Sequence, residues 1–451
     1  MAAHIQYHDD SMRVPLTHPE VPLLKYAIRE IVDVTQKLHE LDPGYRFVRE
    51  NIGDPVAKGW PVPGFLKEIL REEIDRKGDA VFGYCHSRGI PEVRKWIVDY
   101  SKRYSPSSTL DYEYVLITNG LGAAISALYH MLKRGARILQ PAPTYPSHSS
   151  MESFAAGSSP LFYHLDAARG WEPDLDHMES RIKSHPEIAG ILIINPNNPT
   201  GAVYSRQTLV EIIRLAEKYN LMVISDEIYF RMVYNGLKHE QMTELAARRI
   251  PLILLRGTSK DVPWPGARSG WIEFHNVELD LEYKAYCEAV KKRVLLEVCA
   301  TSLPQTVIPR IYDHPEFAAW SREYNRGLEK NINQIAAILG ETAGLRTNRP
   351  DGAFYMMPIF EPGVLNEHQT LPIRNPRVKE YIEMETSQPD TPLDKRFAYY
   401  LLASTGICVV PASGFSSPAP GFRITTLERE ESCLKDTYTR LSQAVHDYLN
   451  S

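Results

Sequence analysis

The chain has 451 residues, of which 43% are hydrophobic and 24% charged, a composition typical of a folded protein with roughly two to three domains. Its formal net charge of −5 argues against a nucleic-acid partner, and no apolar run approaches the length of a membrane span. The N-terminal residues lack the apolar core of a signal peptide. The five cysteines are scattered without CxxC spacing, so we expect reduced thiols in a cytoplasmic protein and no bound metal.

Residues 1–63 are predicted to form an N-terminal arm and part of a small domain. Apolar residues recur at helical spacing over residues 22–39, which indicates a helix. No other element near this helix could complete a core with it. We therefore expect the helix to pack against the C-terminal part of the chain.

Residues 64–310 are predicted to form a large domain of the α/β class. Short, nearly continuous apolar runs alternate there with amphipathic helices, as in a parallel sheet that is buried on both faces. The predicted strands cover residues 114–119, 136–141, 190–195, 221–226 and 251–256, with helices predicted at residues 122–134 and 205–220. The expected architecture is a mainly parallel central sheet flanked by helices.

Residues 311–451 are predicted to form a smaller α+β domain. A long helix over residues 315–339 leads to a strand-like run at residues 352–361, and the chain ends in another helix. Residues 362–392, which are rich in Pro, Glu and Thr, are predicted to be an inserted loop with one short helix. This insertion is a candidate for reshaping a substrate site.

The predicted strands of the large domain are followed by residues that suit a ligand, and open α/β sheets bind ligands outside the carboxyl ends of their strands. Gly120, Leu121 and Gly122 open a helix after the first strand, so their backbone N–H groups suit a phosphate. Tyr145 follows the second strand on a proline-stiffened loop, where its ring could stack on a planar cofactor. In isolation, an ordinary turn and a packing aromatic are the more common explanations of these features.

The third, fourth and fifth strands are followed by more specific signals. The loop NPNNPTG at residues 195–201 is stiff and leaves Asn198 free to donate a hydrogen bond. Asp226 ends the fourth strand, where it needs a cation such as a protonated pyridine nitrogen unless it only caps a helix. Lys260 follows the fifth strand, with Arg268 eight residues later. A lysine can carry a Schiff base and an arginine can bind a phosphate, which together suggest pyridoxal 5'-phosphate (PLP).

The motifs NPNNPTG, SDEIY, TSK with an arginine eight residues on, and FRITT occur in this order. The series resembles the class I/II aminotransferases, which are fold-type I PLP-dependent enzymes related to aspartate and alanine aminotransferases. The resemblance extends from about residue 52 to the C-terminal helix. It implies a large PLP-binding domain and a smaller α+β domain, amino acid and 2-oxo acid substrates, and a homodimer with shared active sites.

The resemblance also implies catalytic roles for individual residues. Lys260 matches the lysine that forms the internal aldimine and moves a proton between the substrate Cα and C4′ through a quinonoid intermediate. Asp226 matches the acid that pairs with the pyridinium nitrogen. Asn198 and Tyr229 match the groups that hydrogen-bond the ring oxygen, and Tyr145 matches the stacked aromatic residue.

Further residues match the phosphate and substrate contacts of the family. Arg268, with the amides of residues 120–122, matches the phosphate clamp, and Tyr84 matches a tyrosine that reaches the phosphate of the neighbouring subunit. Arg423, in FRITT, matches the arginine that grips the substrate α-carboxylate. Gly53 lies where the N-terminal segment of the family closes over that carboxylate, and Asn198 is also expected near the substrate.

Two glycines depart from the family pattern. Gly122 stands where relatives commonly carry a hydroxyl or amide side chain, and Gly257 stands where they commonly carry serine. Both changes remove hydrogen bonds to the phosphate. Thr258 and Ser259 are the candidates for replacing them.

Three functions remain compatible with these residues. Transamination is the leading hypothesis, but SKD followed by PGAR also resembles the 1-aminocyclopropane-1-carboxylate synthase branch, which performs elimination, replacement or cyclisation at the β or γ carbon. A PLP-fold regulatory module is a third possibility, although no basic helix-turn-helix pattern precedes the core. The substrate is undetermined: Arg293 is a candidate second cation, and Trp60, Tyr45 and Phe65 are candidates for an apolar pocket.

Overall fold

The computed structural model describes residues 16–451, and residues 1–15 of the predicted N-terminal arm lie outside the described part. Within the described part, the chain forms fourteen α-helices and fifteen β-strands. The helices are α1 (Ala27–Leu41), α2 (Gly64–Lys77), α3 (Pro91–Tyr104), α4 (Leu121–His130), α5 (Pro146–Ala156), α6 (Leu175–Ser184), α7 (Arg206–Tyr219), α8 (Met242–Leu245), α9 (Leu281–Leu295), α10 (Ser302–Tyr312), α11 (Phe317–Gly340), α12 (Pro376–Thr386), α13 (Leu393–Thr405) and α14 (Glu431–Leu449). The strands are β1 (Val48–Arg49), β2 (Val115–Thr118), β3 (Arg137–Ala142), β4 (Phe162–Asp166), β5 (Glu172–Pro173), β6 (Ile188–Ile194), β7 (Met222–Asp226), β8 (Leu252–Gly257), β9 (Gly270–His275), β10 (Leu345–Arg346), β11 (Tyr355–Met356), β12 (Ile359–Phe360), β13 (Ile407–Cys408), β14 (Val410–Pro411) and β15 (Phe422–Thr425).

The largest sheet has eight strands in the order β2-β9-β8-β7-β6-β3-β4-β5. Its centre is parallel, because β8, β7, β6, β3 and β4 run in one direction. All five predicted strands are present as β2, β3, β6, β7 and β8. Their residues are almost entirely buried, which confirms the two-sided burial that their apolar runs predict.

The sequence did not indicate β4, β5 or β9, and β9 makes the sheet mixed, since it runs antiparallel to both β8 and β2. Strand β9 has the sequence GWIEFH. It is not a continuous apolar run, because it contains the buried polar residues Glu273 and His275. These polar groups are paired: Glu273 accepts from Trp271 Nε1 at 2.9 Å and lies 3.1 Å from His275 Nε2. Paired side chains of this kind can be buried without the cost of an unsatisfied charge.

Local sequence explains where α7 begins and ends. Ser205 caps its N-terminus by accepting a hydrogen bond from the Thr208 amide at 3.1 Å, and Asn220 ends it in the left-handed conformation. Buried Leu209, Ile212 and other apolar residues at helical spacing face the sheet core. The helix therefore covers one face of the parallel strands.

The C-terminal part contains small two- and three-stranded sheets and the long helices α11, α13 and α14. Strand β1 pairs in parallel with β13, and Ile31, Val34 and Leu38 of α1 join the same hydrophobic core as α13 and α14. The expected packing of the N-terminal helix is thus confirmed. The domain bounds at residues 63 and 310 remain predictions, and the second falls inside α10.

The predicted insertion at residues 362–392 contains one helix, α12, as expected. Leu371, Val378 and Ile382 of this segment are buried in the core that α1 and α13 share. The segment therefore packs as part of the small domain. Within residues 16–451, no helix is both long enough and apolar enough to span a bilayer.

Candidate active site

A cavity of about 420 Å³ lies at the carboxyl ends of the parallel strands. Strand direction explains the location, because the ends of β3, β6, β7 and β8 meet at one edge of the sheet. Residues of the N-terminal segment and of the C-terminal domain close its other side. The predicted site residues that line it are Gly53, Leu121, Gly122, Tyr145, Asn198, Asp226, Tyr229, Ser259, Lys260, Arg268 and Arg423.

Lys260 lies in the turn that follows β8, and its side chain enters the cavity. Its Nζ donates a hydrogen bond to the Gly53 carbonyl oxygen at 2.8 Å and lies 5.3 Å from the centre of the Phe354 ring. The position of the amine is therefore set by a hydrogen bond to one backbone carbonyl and by contact with one aromatic ring. Such a position suits an amine that must reach a bound carbonyl group.

Asp226 ends β7, and its carboxylate is 4% exposed. Oδ1 accepts the Ile228 amide at 3.1 Å, and Oδ2 lies 3.2 Å from His148 Nε2. His148 Nδ1 lies 3.0 Å from the Tyr129 hydroxyl. A neutral His148 that donates from Nε2 to Asp226 can accept a hydrogen bond from the Tyr129 hydroxyl at Nδ1. One tautomer therefore satisfies both contacts. Asp226 thus lines the cavity, and hydrogen bonds from His148 and the Ile228 amide stabilise its carboxylate.

Asn198 and Tyr229 both line the cavity. Asn198 Oδ1 accepts from Arg423 at 3.3 Å, so its amide nitrogen is available as a donor. The Tyr229 hydroxyl donates to the Tyr355 hydroxyl at 3.3 Å. Burial raises the pKa of Tyr229 well above its usual range, so the phenol remains a neutral hydrogen-bond donor.

Tyr145 precedes α5 and presents its ring to the cavity. Its hydroxyl lies 3.2 Å from that of Tyr26, and the two rings meet edge to face with centres 6.5 Å apart. Tyr26 directly precedes α1. The aromatic wall of the cavity is therefore braced by the N-terminal segment.

The N-terminus of α4 forms the other end of the cavity. Gly120 caps the helix at a φ of +77°, and a Cβ there would lie 2.7 Å from an Arg268 guanidinium nitrogen. The glycine thus allows Arg268 to lie against the helix N-terminus. A Cβ on Gly122 would meet no atom within 4 Å, which leaves space in front of the helix amides. This arrangement of amides, helix dipole and guanidinium is a typical phosphate site.

The second departure from the family pattern has a steric explanation. A Cβ on Gly257 would lie 2.8 Å from the Ser269 carbonyl oxygen, because β8 and β9 approach closely there. Thr258 does not line the cavity, but its hydroxyl is buried and has no hydrogen-bond partner within the described residues. Ser259 lines the cavity and presents a hydroxyl beside Lys260.

Arg423 is 1% exposed, and burial lowers its pKa from the usual range. It donates to the Asn51 carbonyl oxygen at 2.6 Å, and its guanidinium carbon lies 4.4 Å from the centre of the Tyr355 ring. No carboxylate of residues 16–451 lies within 4.0 Å of it, and its Nε has no partner in that part of the chain. A buried guanidinium with spare donors suits an anionic ligand.

Gly53 lies where a side chain could not. A Cβ there would overlap the Tyr355 hydroxyl, so only glycine allows the segment to pass this close to the ring. Glu50, three residues earlier, accepts from Tyr438 at 2.9 Å and pairs with Lys58 at 2.6 Å. These contacts hold the Gly53 segment beside the strand that carries Arg423.

Several expected residues lie elsewhere in the described chain. Tyr84 is 88% exposed and does not line the cavity. Arg293, near the end of α9, pairs with Glu297 beyond that helix at 3.1 Å. Trp60, Tyr45 and Phe65 are also absent from the lining, and Trp60 instead donates to the Leu427 carbonyl oxygen at 2.7 Å. The expectation of an apolar pocket built by these three rings is wrong, because each of them packs in the protein interior or on another ring.

Four residues of the site were not identified from the sequence. They are His148 behind Asp226, Tyr355 on Arg423, and Tyr26 and Arg29 at the start of α1. The positions of Tyr26 and Arg29, three apart at the start of a predicted helix, were the available signal for a shared helical face. His148 and Tyr355 carried no comparable signal, since their roles depend on contacts between distant segments.

The donor set of the cavity fits PLP. Asp226 offers a carboxylate to a ring nitrogen, Lys260 offers an amine, and the α4 N-terminus with Arg268 offers donors to a phosphate. The open space before Gly122 supplies the room that a phosphate needs. The sheet and this constellation define a PLP-dependent transferase of fold-type I.

Comparisons with known proteins agree. The family described as aminotransferase class I and II matches residues 61–433. An uncharacterised aminotransferase of Methanocaldococcus jannaschii is 44% identical over 98% of this chain and 100% of its own length. The glutamate-pyruvate aminotransferase AlaA of Escherichia coli is 29% identical over 90% of this chain and 91% of its own. The solved alanine aminotransferase of Pyrococcus furiosus is 29% identical, with a TM-score of 0.80 over 95% of this chain and 99% of that chain.

The chain belongs to the class I and II aminotransferase family. It is a PLP-dependent enzyme that moves an amino group between an amino acid and a 2-oxo acid. The comparisons do not favour the alternative of elimination, replacement or cyclisation at the β or γ carbon.

Proposed function

We propose that the enzyme exchanges an amino group between a dicarboxylic amino acid of the glutamate type and a small 2-oxo acid of the pyruvate type. The relatives support this substrate pair, because the similar proteins from Escherichia coli and Pyrococcus furiosus bear the names glutamate-pyruvate and alanine aminotransferase. The observation that carries the proposal is the position of Arg29. To a cavity that already contains Arg423, it adds a cation that has no proposed role in holding the cofactor.

Arg29 lies in the first turn of α1, lines the cavity and is exposed. No carboxylate within residues 16–451 lies within 4.0 Å of its guanidinium. Tyr26, three residues earlier, lines the same cavity. We assign the buried Arg423 to the α-carboxylate and the exposed Arg29 to the side-chain carboxylate, so that a five-carbon diacid spans the two cations.

Replacement of Arg29 by methionine tests this assignment. We expect KM for glutamate to rise about 10-fold, because the lost charge-assisted hydrogen bond lies at an exposed site where solvent screens the charge. KM for alanine should change little, since alanine has no second carboxylate. The measurement is initial rates with each amino donor and a saturating 2-oxo acid.

Lys37→Met provides the matched control, because Lys37 lies on the same helix, is exposed and does not line the cavity. Equal losses with glutamate and alanine in Arg29→Met would show that Arg29 does not read the side chain. Failure to aminate any 2-oxo acid with any amino donor would instead refute the proposed exchange itself.

We also propose roles for the residues of the cavity. When bound, PLP supplies the carbonyl that takes up the amino group and the ring that withdraws electrons from the substrate Cα. Lys260 Nζ moves the proton at Cα, and Asp226 holds the proton on the ring nitrogen. Arg423 fixes the α-carboxylate and thereby orients the Cα–H bond.

The remaining contacts hold the cofactor. When PLP is bound, Asn198 and Tyr229 would donate to the ring oxygen, and Tyr145 would offer its ring to the cofactor ring. Arg268, the amides at the α4 N-terminus and the Ser259 hydroxyl would bind the phosphate.

We further propose a homodimer in which Tyr84 reaches the phosphate site of the partner subunit. Tyr84 and Phe82 are 88% and 72% exposed, and nearby segments expose Leu296 and Val298. Ser302 donates to the Gly83 carbonyl oxygen at 2.7 Å, which places these exposed apolar residues on neighbouring segments. An apolar patch of this kind suits burial against a second copy. The expected setting is amino acid biosynthesis in the cytoplasm.

A further inference from the structure

Asp261 follows Lys260 directly but points the opposite way. Lys260 enters the cavity, whereas the Asp261 carboxylate is 1% exposed and lies in the interior behind it. Both Asp261 oxygens accept from the Tyr312 hydroxyl, at 3.1 Å each, and Oδ1 accepts the Val262 amide at 2.8 Å. The residue beside the reactive amine is thus anchored to the end of α10.

The cation that faces Asp261 is Arg231, whose Nε lies 3.6 Å from Oδ2. Arg231 belongs to the loop that begins at the carboxyl end of β7, the same loop that carries Asp226 and Tyr229. The ion pair therefore joins the turn of Lys260 to the loop of Asp226. Within residues 16–451, no other carboxylate pairs with Arg231.

Aromatic rings surround the Arg231 guanidinium. Its central carbon lies 5.1–5.4 Å from the centres of the rings of Tyr100, Tyr104, Phe230, Tyr312 and Phe317. Such rings stabilise the cation and shield most of it from water, so that the Arg231 side chain is 17% exposed. Removing two charges from water in this way is costly, so the pair is an expensive means of stabilising a fold.

We propose that Asp261 and Arg231 are positioning residues, a buried ion pair that sets the Lys260 turn against the loop of Asp226 and Tyr229. The lysine amine and the Asp226 carboxylate must serve the same bound ring from two separate strand ends. A fixed link between the two loops holds their spacing. Loss of the Asp261 charge releases this link and leaves the amine less well placed.

The charge of Asp261 depends on pH within a useful range. Burial raises the pKa of this carboxyl to about 6, against the opposing effects of Arg231, the Val262 amide and Tyr312. The other titratable or charged groups near the pair are Tyr100 and Tyr104 on α3, Arg256 on β8 and Tyr324 on α11. The pair is therefore intact at pH 8 and progressively lost as the pH falls through about 6.

Tyr312→Phe is the sharpest test, because it keeps the ring against Arg231 and removes only the hydroxyl. That hydroxyl stabilises the charged carboxylate, so its loss should raise the pKa of Asp261. In a plot of kcat against pH, we expect the decline on the acidic side (the acidic limb) to move to higher pH by about one unit. Asp261→Asn should lower kcat about 10-fold to 100-fold at pH 8, where the unaltered carboxylate is charged, with a smaller change in KM. It should abolish the acidic decline in kcat, so that its kcat at pH 5 is close to that of the unaltered enzyme.

Hydrogen exchange gives a readout that needs no cofactor. In the cofactor-free chain, peptides that contain Val262 should exchange faster at pH 5 than at pH 8, after correction for intrinsic rates. Asp261→Asn should remove this difference, and Tyr312→Phe should move it to higher pH.

Glu152→Gln is the matched control. Glu152 forms another buried ion pair of the large domain, with Arg137 Nε at 2.6 Å, and neither residue lines the cavity. This variant should lose comparable stability without a shift of the acidic limb. The proposal fails if kcat of Tyr312→Phe declines at the same acidic pH as kcat of the unaltered enzyme. This comparison is conclusive even if Asp261→Asn does not fold.

Discussion

Arg423 illustrates how burial converts a common side chain into a selective one. Its guanidinium is removed from water, stacked on Tyr355 and supplied with neutral acceptors, from Asn51 and Asn198. Neutral acceptors leave the positive charge uncompensated, and a carboxylate ligand is the group that compensates it. The same desolvation lowers the pKa of Arg423, although an arginine remains charged at neutral pH.

Arg423→Lys should therefore weaken amino acid binding while PLP binding stays nearly unchanged. A lysine keeps the charge but loses the planar pair of donors, and removal of such a buried contact costs about 2–5 kcal/mol. The measurement is KM for amino acids and, separately, the Kd for PLP by absorbance titration. Amines without a carboxylate serve as the control, and equal losses for amines and amino acids would contradict the assignment.

At the scale of elements, the approach of β8 to β9 governs which side chains the phosphate end can carry. Gly257 of β8 pairs with Gly270 of β9, and Gly270 pairs with Thr118 of β2 on its other side. Two of the three paired residues therefore have no side chain. A serine at residue 257, as relatives commonly carry, would press on the Ser269 carbonyl. The close pairing of β8 and β9 thus explains why residue 257 has no side chain that could donate to a phosphate.

Gly257→Ser should destabilise the cofactor-free chain by about 1–3 kcal/mol, the usual cost of overpacking a buried position. Gly122→Ser is the matched control for stability, because a Cβ there meets no atom within 4 Å. Thermal unfolding measures both. An unchanged Tm for Gly257→Ser would show that β8 and β9 can separate without cost.

The predictability of these elements follows from how each is stabilised. Strands such as β7, with its buried MVIS run, were predictable because hydrophobic burial alone explains them. Strand β9 was not, since its buried Glu273 interrupts the apolar pattern and is paired with His275 of the same strand and with Arg256 of β8. In the same way, the positions of Lys260 and Asp226 at strand ends were predictable, whereas the partnership of Asp226 with His148 depends on how α5 packs.

At the scale of the whole molecule, one chain supplies most of the cavity but leaves Tyr84 facing solvent. If Tyr84 completes the phosphate site of a partner, the dimer is the smallest unit with a complete site. The exposed Phe82 beside it in sequence points to the same surface.

Mixed dimers test this arrangement. Chains with Tyr84→Phe and chains with Lys260→Ala should each form weakened or inactive homodimers, whereas their mixture should regain activity. One site of each mixed dimer then receives both an intact Lys260 and an intact Tyr84. Activity that never exceeds the sum of the parents, in a preparation where mixed dimers are demonstrated by mass, would refute the shared site.

Helix α1 has a consequence for how new specificities arise. Tyr26, Arg29 and Gly53 line the cavity, yet all three precede residue 61, where the match to the family begins. Arg29, the residue proposed to bind the substrate side chain, therefore lies outside the residues that match the family. Exchanging the side chain at residue 29 for the one that a relative carries should therefore change the preference among amino donors while the other residues that line the cavity stay in place.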